Sequence, residues 1–283
     1  MKTILGEQRM VRVLRKYLPY IIMFFLALLW IVPLLWMTDT AFKPKAEIFR
    51  SPPTWIPTHF TLYNIKELFS DWPYLRWLSR SFFVALMSTG ISLVVSTLAA
   101  FSFSRLFWKG RDAVFMILMA FMLLPWQVNI MPLFFTMKTF GFLNTVQGVA
   151  FPIVAMPIGV FLLRQFFINI PRDMEDVARI DGCSNFAILL KVIVPMSKPV
   201  FGAYGIFIFN WAWNEFFWSS ICLSSERMQT LSVGLRSLQG SFDINYGLFM
   251  AGAFMAALPS FIIFVLLRKH IIRGFTLSGG LKG

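Results

Sequence analysis

The run IFNWAWNEFFWSS holds the residues best suited to binding chemistry in this chain. Asn210 and Asn214 are four apart, as are Trp211 and Glu215, so on a helix all four share one broad face. Amides donate to and accept from hydroxyls, and indole rings can cover the apolar face of a polyhydroxylated ring. Gln127 and Asn129, just after Pro125, offer two more amides. These six are the candidate residues for binding a hydroxylated small molecule. Each also has an ordinary reading: tryptophans anchor at membrane interfaces, and amides hydrogen-bond between helices. Glu215 is costly to bury in an apolar medium, so it is expected to face water or a partner.

Other chemistries lack their residues. HExxH, GxSxG and GxxxxGK[ST] do not occur, so no catalytic residue is assigned and no ATP hydrolysis is expected from this chain itself. The two cysteines, Cys183 and Cys222, have no metal-ligand spacing and are not expected to bond to each other. His59 and His270 are far apart, and no metal site is assigned. An intramembrane enzyme is disfavoured, because no apolar segment carries a Ser–His, paired-Asp or metal-like constellation.

The elements that must position these residues are membrane spans. The 283 residues are 58% hydrophobic and 14% charged, with 33 Phe and 10 Trp, and the mean hydropathy is +0.70. An all-α integral membrane protein with six transmembrane helices is expected, because each span needs about 20 apolar residues. The segments are 17–37, 82–103, 114–135, 146–167, 200–223 and 248–267. Around them lie an N-terminal tail (1–16), a long loop (38–81), a polar loop (169–198) and a C-terminal tail (268–283). The net charge of +13 is read as topology rather than nucleic-acid binding. Of the 26 Lys and Arg, 17 fall on the side of the two tails, so both termini are expected in the cytoplasm and the long loop outside. In that loop YLRWLSRS (74–81) reads as a short surface helix, with Trp72 and Trp77 as interfacial anchors. Pro125, Pro132, Pro152 and Pro157 are expected to kink spans three and four. Apart from Glu215 the spans hold almost no ionisable group, which argues against a proton- or sodium-driven carrier.

The polar loop contains MEDVARIDG (174–182) between two apolar runs. Asp173, Glu175 and Asp176 suit a helix N-terminus. Met174, Val177 and Ala178 form one apolar stripe. Glu175 and Arg179 are placed for an i,i+4 pair, and Gly182 ends the helix. A second helical pattern puts Phe186, Leu189, Leu190 and Ile193 on one face before Pro195 and Pro199. Three acids in the first turn would be repelled by anionic lipids, so a protein partner is expected.

This loop resembles the signature loop of ABC-importer permeases, EAA-x3-G-x9-I-x-L-P. Asp176, Val177 and Ala178 stand where Glu-Ala-Ala is usual, Gly182 matches the glycine, Val192 and Val194 the two aliphatics, and Pro195 the proline. FTLYNIKELF, WLSRSFFVAL, FLLRQFFINIP, WNEFF, TLSVGL, GLFMAGAFMAALP and RGFTLSGGLKG extend the resemblance to the carbohydrate-uptake branch, specifically the smaller permease of the maltose-importer type. The resemblance implies a type I ABC-importer fold whose loop is a coupling helix. Met174, Glu175, Asp176, Val177, Ala178, Arg179, Asp181, Gly182 and Pro195 would then couple to an ATPase. It implies a second permease chain as heterodimer partner, two ATPase subunits carrying ATP and Mg, an extracytoplasmic solute-binding protein and a sugar substrate. No cofactor is implied in this chain. The implied setting is a prokaryotic cytoplasmic (inner) membrane, and Ser278 to Gly283 would add ATPase contacts. An autonomous secondary sugar carrier is the alternative. Monosaccharide, oligosaccharide, acidic polysaccharide and glycerol phosphate remain open as solutes.

Overall fold

The structure, a computed structural model, describes residues 2–154, 156–239 and 244–279, with side chains over 15–154, 156–239 and 244–266. Every regular element among the described residues is helical. In chain order these are α1 (Lys2–Ala41), α2 (Lys45–Ile48), α3 (Tyr63–Ser70), α4 (Tyr74–Arg105), α5 (Arg111–Ala120), α6 (Ile130–Thr139), α7 (Val146–Val154), α8 (Pro157–Ile168), α9 (Asp173–Ile180), α10 (Asn185–Ile188), α11 (Val194–Met196), α12 (Lys198–Trp213), α13 (Phe217–Cys222), α14 (Leu231–Ser237) and α15 (Tyr246–Gly279). Short 3-10 turns and a π turn over Leu189–Ile193 link some of them.

By length and composition three helices can cross a bilayer: Arg15–Ala41, Tyr74–Arg105 and Tyr246–Leu266. The number rises to six if each of three bent pairs counts as one span. One such pair turns by 98° between Arg111–Leu123 and Trp126–Thr139, at Pro125, and another by 82° between Asn185–Met196 and Lys198–Trp213. Pro157 opens α8, where its missing N–H costs no helical bond. Pro132 sits in the first turn of α6, whereas Pro152 lies inside α7.

The described chain falls into two compact units. The first contains α1 to α3 and the start of α15. Its loop is held by polar contacts. Lys43 is buried and pairs with Asp39 and the Thr54 carbonyl. Glu47 accepts from the Thr58 N–H at 2.8 Å and from the Thr54 and Thr58 hydroxyls at 2.9 Å each. Asn64 donates to the Ala41 and Lys43 carbonyls at 3.0 and 2.9 Å.

The second unit is built around α4, which packs on α7, α8 and α12. Serines on α4 allow close helix approach and supply polar ties. Ser88 and Ser92 donate to the Ala150 and Val154 carbonyls at 3.3 Å each. The Tyr204 hydroxyl of α12 bonds Ser92 at 2.7 Å and Ser96 at 3.2 Å, and a side chain at Gly159 would overlap that ring. Residues 74–81 are the first turns of α4 rather than a separate helix. Trp77 does not anchor at an interface: it is 2% exposed and lies against Gly234, where no Cβ would fit. A Trp that packs on a glycine of α14 gains more by burial than by exposure.

Candidate functional site

Two places gather the candidate residues, the α9 loop and a cavity in the second unit. The three acids of α9 lie in its first turn, but they do not behave alike. Asp173 and Asp176 are exposed, while Glu175 is the one buried residue of the helix. Glu175 does not pair with Arg179. Its Oε1 lies 3.0 Å from Arg105 Nε at the end of α4, and Arg179 instead reaches Asn185 Oδ1 at 3.5 Å. A buried carboxylate gains more from a buried cation than from an exposed i,i+4 partner.

The outward face of α9 carries Met174, Val177 and Ile180, all exposed. Ala178 is partly buried, so it is Ile180, 86% exposed, that extends the i, i+3 row. That spacing is visible in the sequence. Gly182 adopts φ +77°, a conformation that L side chains rarely hold. Its N–H bonds to the Arg179 carbonyl at 3.0 Å, and the Cys183 N–H bonds to the Ala178 carbonyl at 2.9 Å. This is a Schellman end, with exposed Asp181 at the helix cap. Ser184 then caps α10 by accepting from the Ala187 N–H. In the second helical pattern Leu189 and Ile193 are buried, while Phe186 and Leu190 are exposed, so the expected single face divides around the π turn at Leu189–Ile193. Pro195 is exposed on α11. Cys183 and Cys222 are free thiols.

The cavity has a volume of about 390 Å³ and is lined by Trp126, Asn129, Met156, Pro157, Trp211, Glu215 and Trp218 among others. Asn129, Trp211 and Glu215 therefore converge. Asn210 and Trp211 line a second cavity of about 290 Å³, and Gln127 and Asn214 line neither. The expected single helical face does not form, because α12 ends at Trp213. Asn214 turns back to the Asn210 carbonyl at 2.8 Å and to its Oδ1 at 3.1 Å. Glu215 faces the start of α13 rather than water, and is 8% exposed. Its Oε1 accepts from the Trp218 N–H at 2.7 Å. Its Oε2 accepts from the Ser219 N–H at 2.8 Å and hydroxyl at 2.6 Å. Orphan N–H groups at a helix start stabilise a carboxylate that could not otherwise stay buried. Trp218 Nε1 donates to the Gly148 carbonyl at 2.8 Å, fixing that wall. No group of three or more metal-ligating side chains occurs among the described residues.

Residues 92–274, from within α4 to within α15, match the model of a family described as binding-protein-dependent transport system inner membrane component. This chain belongs to that family. The permease is 35% identical over 253 residues to the sulfoquinovosyl glycerol transport system permease protein of Agrobacterium fabrum, covering 89% of this chain and 88% of that one. It is 33% identical to the arabinooligosaccharides transport system permease protein of Bacillus subtilis, over 91% and 92% of the two chains. A solved bacterial ABC transporter involved in import of the acidic polysaccharide alginate superposes with a TM-score of 0.81 at 20% identity, covering 91% of the permease and 97% of that chain. The permease thus has the ABC-importer permease fold, as the loop and flanking motifs lead one to expect. It is a membrane transport component and not an enzyme. These relatives give no support to an autonomous secondary carrier.

Proposed function

We propose that the permease conducts a sugar, oligosaccharide or glycoside inward, driven by ATP hydrolysed on separate subunits. The observation that carries this is the set of sugar-transport relatives aligned over about nine-tenths of both chains. In this reading both termini and α9 face the cytoplasm, in keeping with the distribution of Lys and Arg. The permease pairs with a second permease, two ATPase subunits bind below, and a solute-binding protein delivers cargo from outside. ATP and Mg belong to the ATPase, and this chain needs no cofactor.

The exposed Met174, Val177 and Ile180 supply an apolar docking row for the ATPase, with Asp176, Arg179 and Asp181 orienting it by charge. Gly182 and Pro195 set the turn that presents it. Residues 280–283 of the tail, to which ATPase contact is also ascribed, lie outside the described residues, as do the side chains from 267 onward.

The 390 Å³ cavity suits part of a saccharide, since Trp126 and Trp211 offer ring faces and Asn129 an amide. Glu215 shapes this cavity by fixing the break before α13.

The test is reconstitution of the permease with its ATPase, second permease and binding protein in proteoliposomes. The binding protein is first screened by calorimetry against arabino-, galacto- and alginate oligosaccharides and sulfoquinovosyl glycerol. ATP-dependent accumulation of the solute it binds supports the reading, and uptake that persists without ATPase overturns it. Asn129→Ala and Trp211→Ala should each slow uptake about fivefold to tenfold, the worth of one hydrogen bond or ring contact of ~1 kcal/mol. Wild-type uptake in both variants removes the cavity from the solute path.

A further inference from the structure

Arg105, the last residue of α4, is buried where three helices meet. Its Nη2 donates to the Ile170 carbonyl at 2.7 Å and to the Phe167 carbonyl, at and just beyond the C-terminal end of α8. Its Nε faces Glu175 of α9 at 3.0 Å, with the two side chains 2% and 5% exposed. Both sets of contacts favour a cation: carbonyls at the C-terminal end of a helix carry partial negative charge, and the Glu175 carboxylate faces the guanidinium directly. Shielded from water, both attractions are stronger than at a surface. The Nε–Oε1 contact is not aligned as a hydrogen bond, so charge holds it.

Glu175 is the only buried residue of α9. An eight-residue helix is too short to hold itself by its own backbone bonds, so its attachment must come from tertiary contacts. Among the described residues, the buried side-chain contact between α9 and the helices behind it is Glu175 against Arg105. At the same end Arg164 ties α8 itself to α4 and α5. Its Nε donates to the Phe103 carbonyl at 3.2 Å, and its guanidinium lies 4.0 Å from the centre of the Phe115 ring. At the opposite end of α8, Pro157 and the preceding Met156 line the larger cavity. Between the two ends, Leu163 is fully buried and Gly159 fits beneath Tyr204. One continuous helix thus connects the clamp to the cavity.

We propose that Arg105 is a positioning residue for transport: by clamping Glu175 and the end of α8 together, it converts displacement of α9 into displacement of the cavity wall. This rests on the proposed function, in which a partner pulls on the exposed row of α9. The docking row and the clamp are on opposite sides of α9, so attachment of the ATPase and transmission of its motion are separable.

The assembled complex, reconstituted in proteoliposomes with its ATPase, second permease and binding protein, tests this with Arg105→Met, Glu175→Met and the double variant. Three quantities are read: ATPase copurified, ATP hydrolysed, and a mixed panel of labelled arabino-, galacto- and alginate oligosaccharides imported. The ATPase should copurify as in wild type. Solute imported per ATP should fall at least tenfold in each single variant, and the double variant should be no worse than the poorer single, because the two residues act as one unit. If the methionine variants are not recovered from the membrane, Arg105→Lys and Glu175→Gln are scored by the same ratio. An unchanged ratio, effects that multiply in the double variant, or loss of the copurifying ATPase overturns the proposal. A wild-type complex without ATP-driven uptake fails the functional reading itself, and that control tells the two failures apart.

Discussion

The Glu215 carboxylate lies 2.7 Å from the backbone nitrogen of Trp218, and this contact decides where α12 stops and α13 begins. Without the carboxylate, buried N–H groups of Trp218 and Ser219 lose their acceptor. Glu215→Ala should therefore destabilise the permease by about 1.5–3 kcal/mol, the worth of a charge-assisted bond. Glu215→Gln, which keeps one acceptor oxygen, should cost less. Thermal unfolding in detergent checks the order, and equal midpoints for Ala, Gln and wild type would contradict the capping role.

Gly182 gives the sharpest test of the α9 turn. Proline holds φ near −65°, and the site requires +77°. Gly182→Pro should abolish uptake while the protein still reaches the membrane, and Asp176→Lys, on the exposed side of α9, should do the same by reversing a charge at the docking row. Immunoblots of membranes alongside uptake assays separate loss of coupling from loss of protein. Normal uptake by both variants would remove α9 from the coupling role.

Gly234→Ala should destabilise the second unit by about 1–3 kcal/mol through overpacking. The added methyl meets the buried Trp77 ring with no space to enter. Pairing it with Trp77→Leu should recover part of the loss, because the smaller side chain vacates that space. Additive losses in the double variant, read by thermal unfolding, would show that the two residues do not share one packing site.

Glu47 makes the loop of the first unit sensitive to acid. The Thr58 N–H, above all, and the Thr54 and Thr58 hydroxyls hold its carboxyl well below the usual 4.5, at about 2, against the opposing effect of burial. The folded form thus prefers the carboxylate. The stabilisation is complete above about pH 4.5 and is lost as the pH falls toward 2. Protease nicking of residues 49–62 should stay constant from pH 7 to about 5 and rise below about pH 4 in the wild type. Glu47→Gln should show elevated nicking at every pH. A pH profile unaltered by the substitution would contradict the role of Glu47.

Much of this architecture is legible along the chain. Long apolar runs specify helices in lipid because each backbone polar group must be satisfied within its own segment, and that constraint is local. The α9 loop is equally local: acids in one turn, a glycine in the left-handed region, and a proline beyond. Side-chain direction is not. Glu175 looks like a partner for Arg179 because i,i+4 neighbours are close on any helix, yet it turns to Arg105, 70 residues away in sequence. Trp77 looks like an interfacial anchor until Gly234 provides a surface to bury it.

Hydropathy, charge asymmetry and turn chemistry act over a few residues, so the amino-acid order alone specifies a helical membrane protein with an amphipathic, glycine-ended helix between apolar spans; the permease assignment rests on the motifs it shares with a family. Three relationships came from the packing: Arg105 joins α4, α8 and α9, Glu215 caps a helix rather than facing water, and Asn129 shares a cavity with Trp211 while Gln127 and Asn214 do not. The physical reason is that a buried charge or amide goes to whichever partner the packing of distant helices brings within about 3 Å, and spacing along one segment carries no record of that partner.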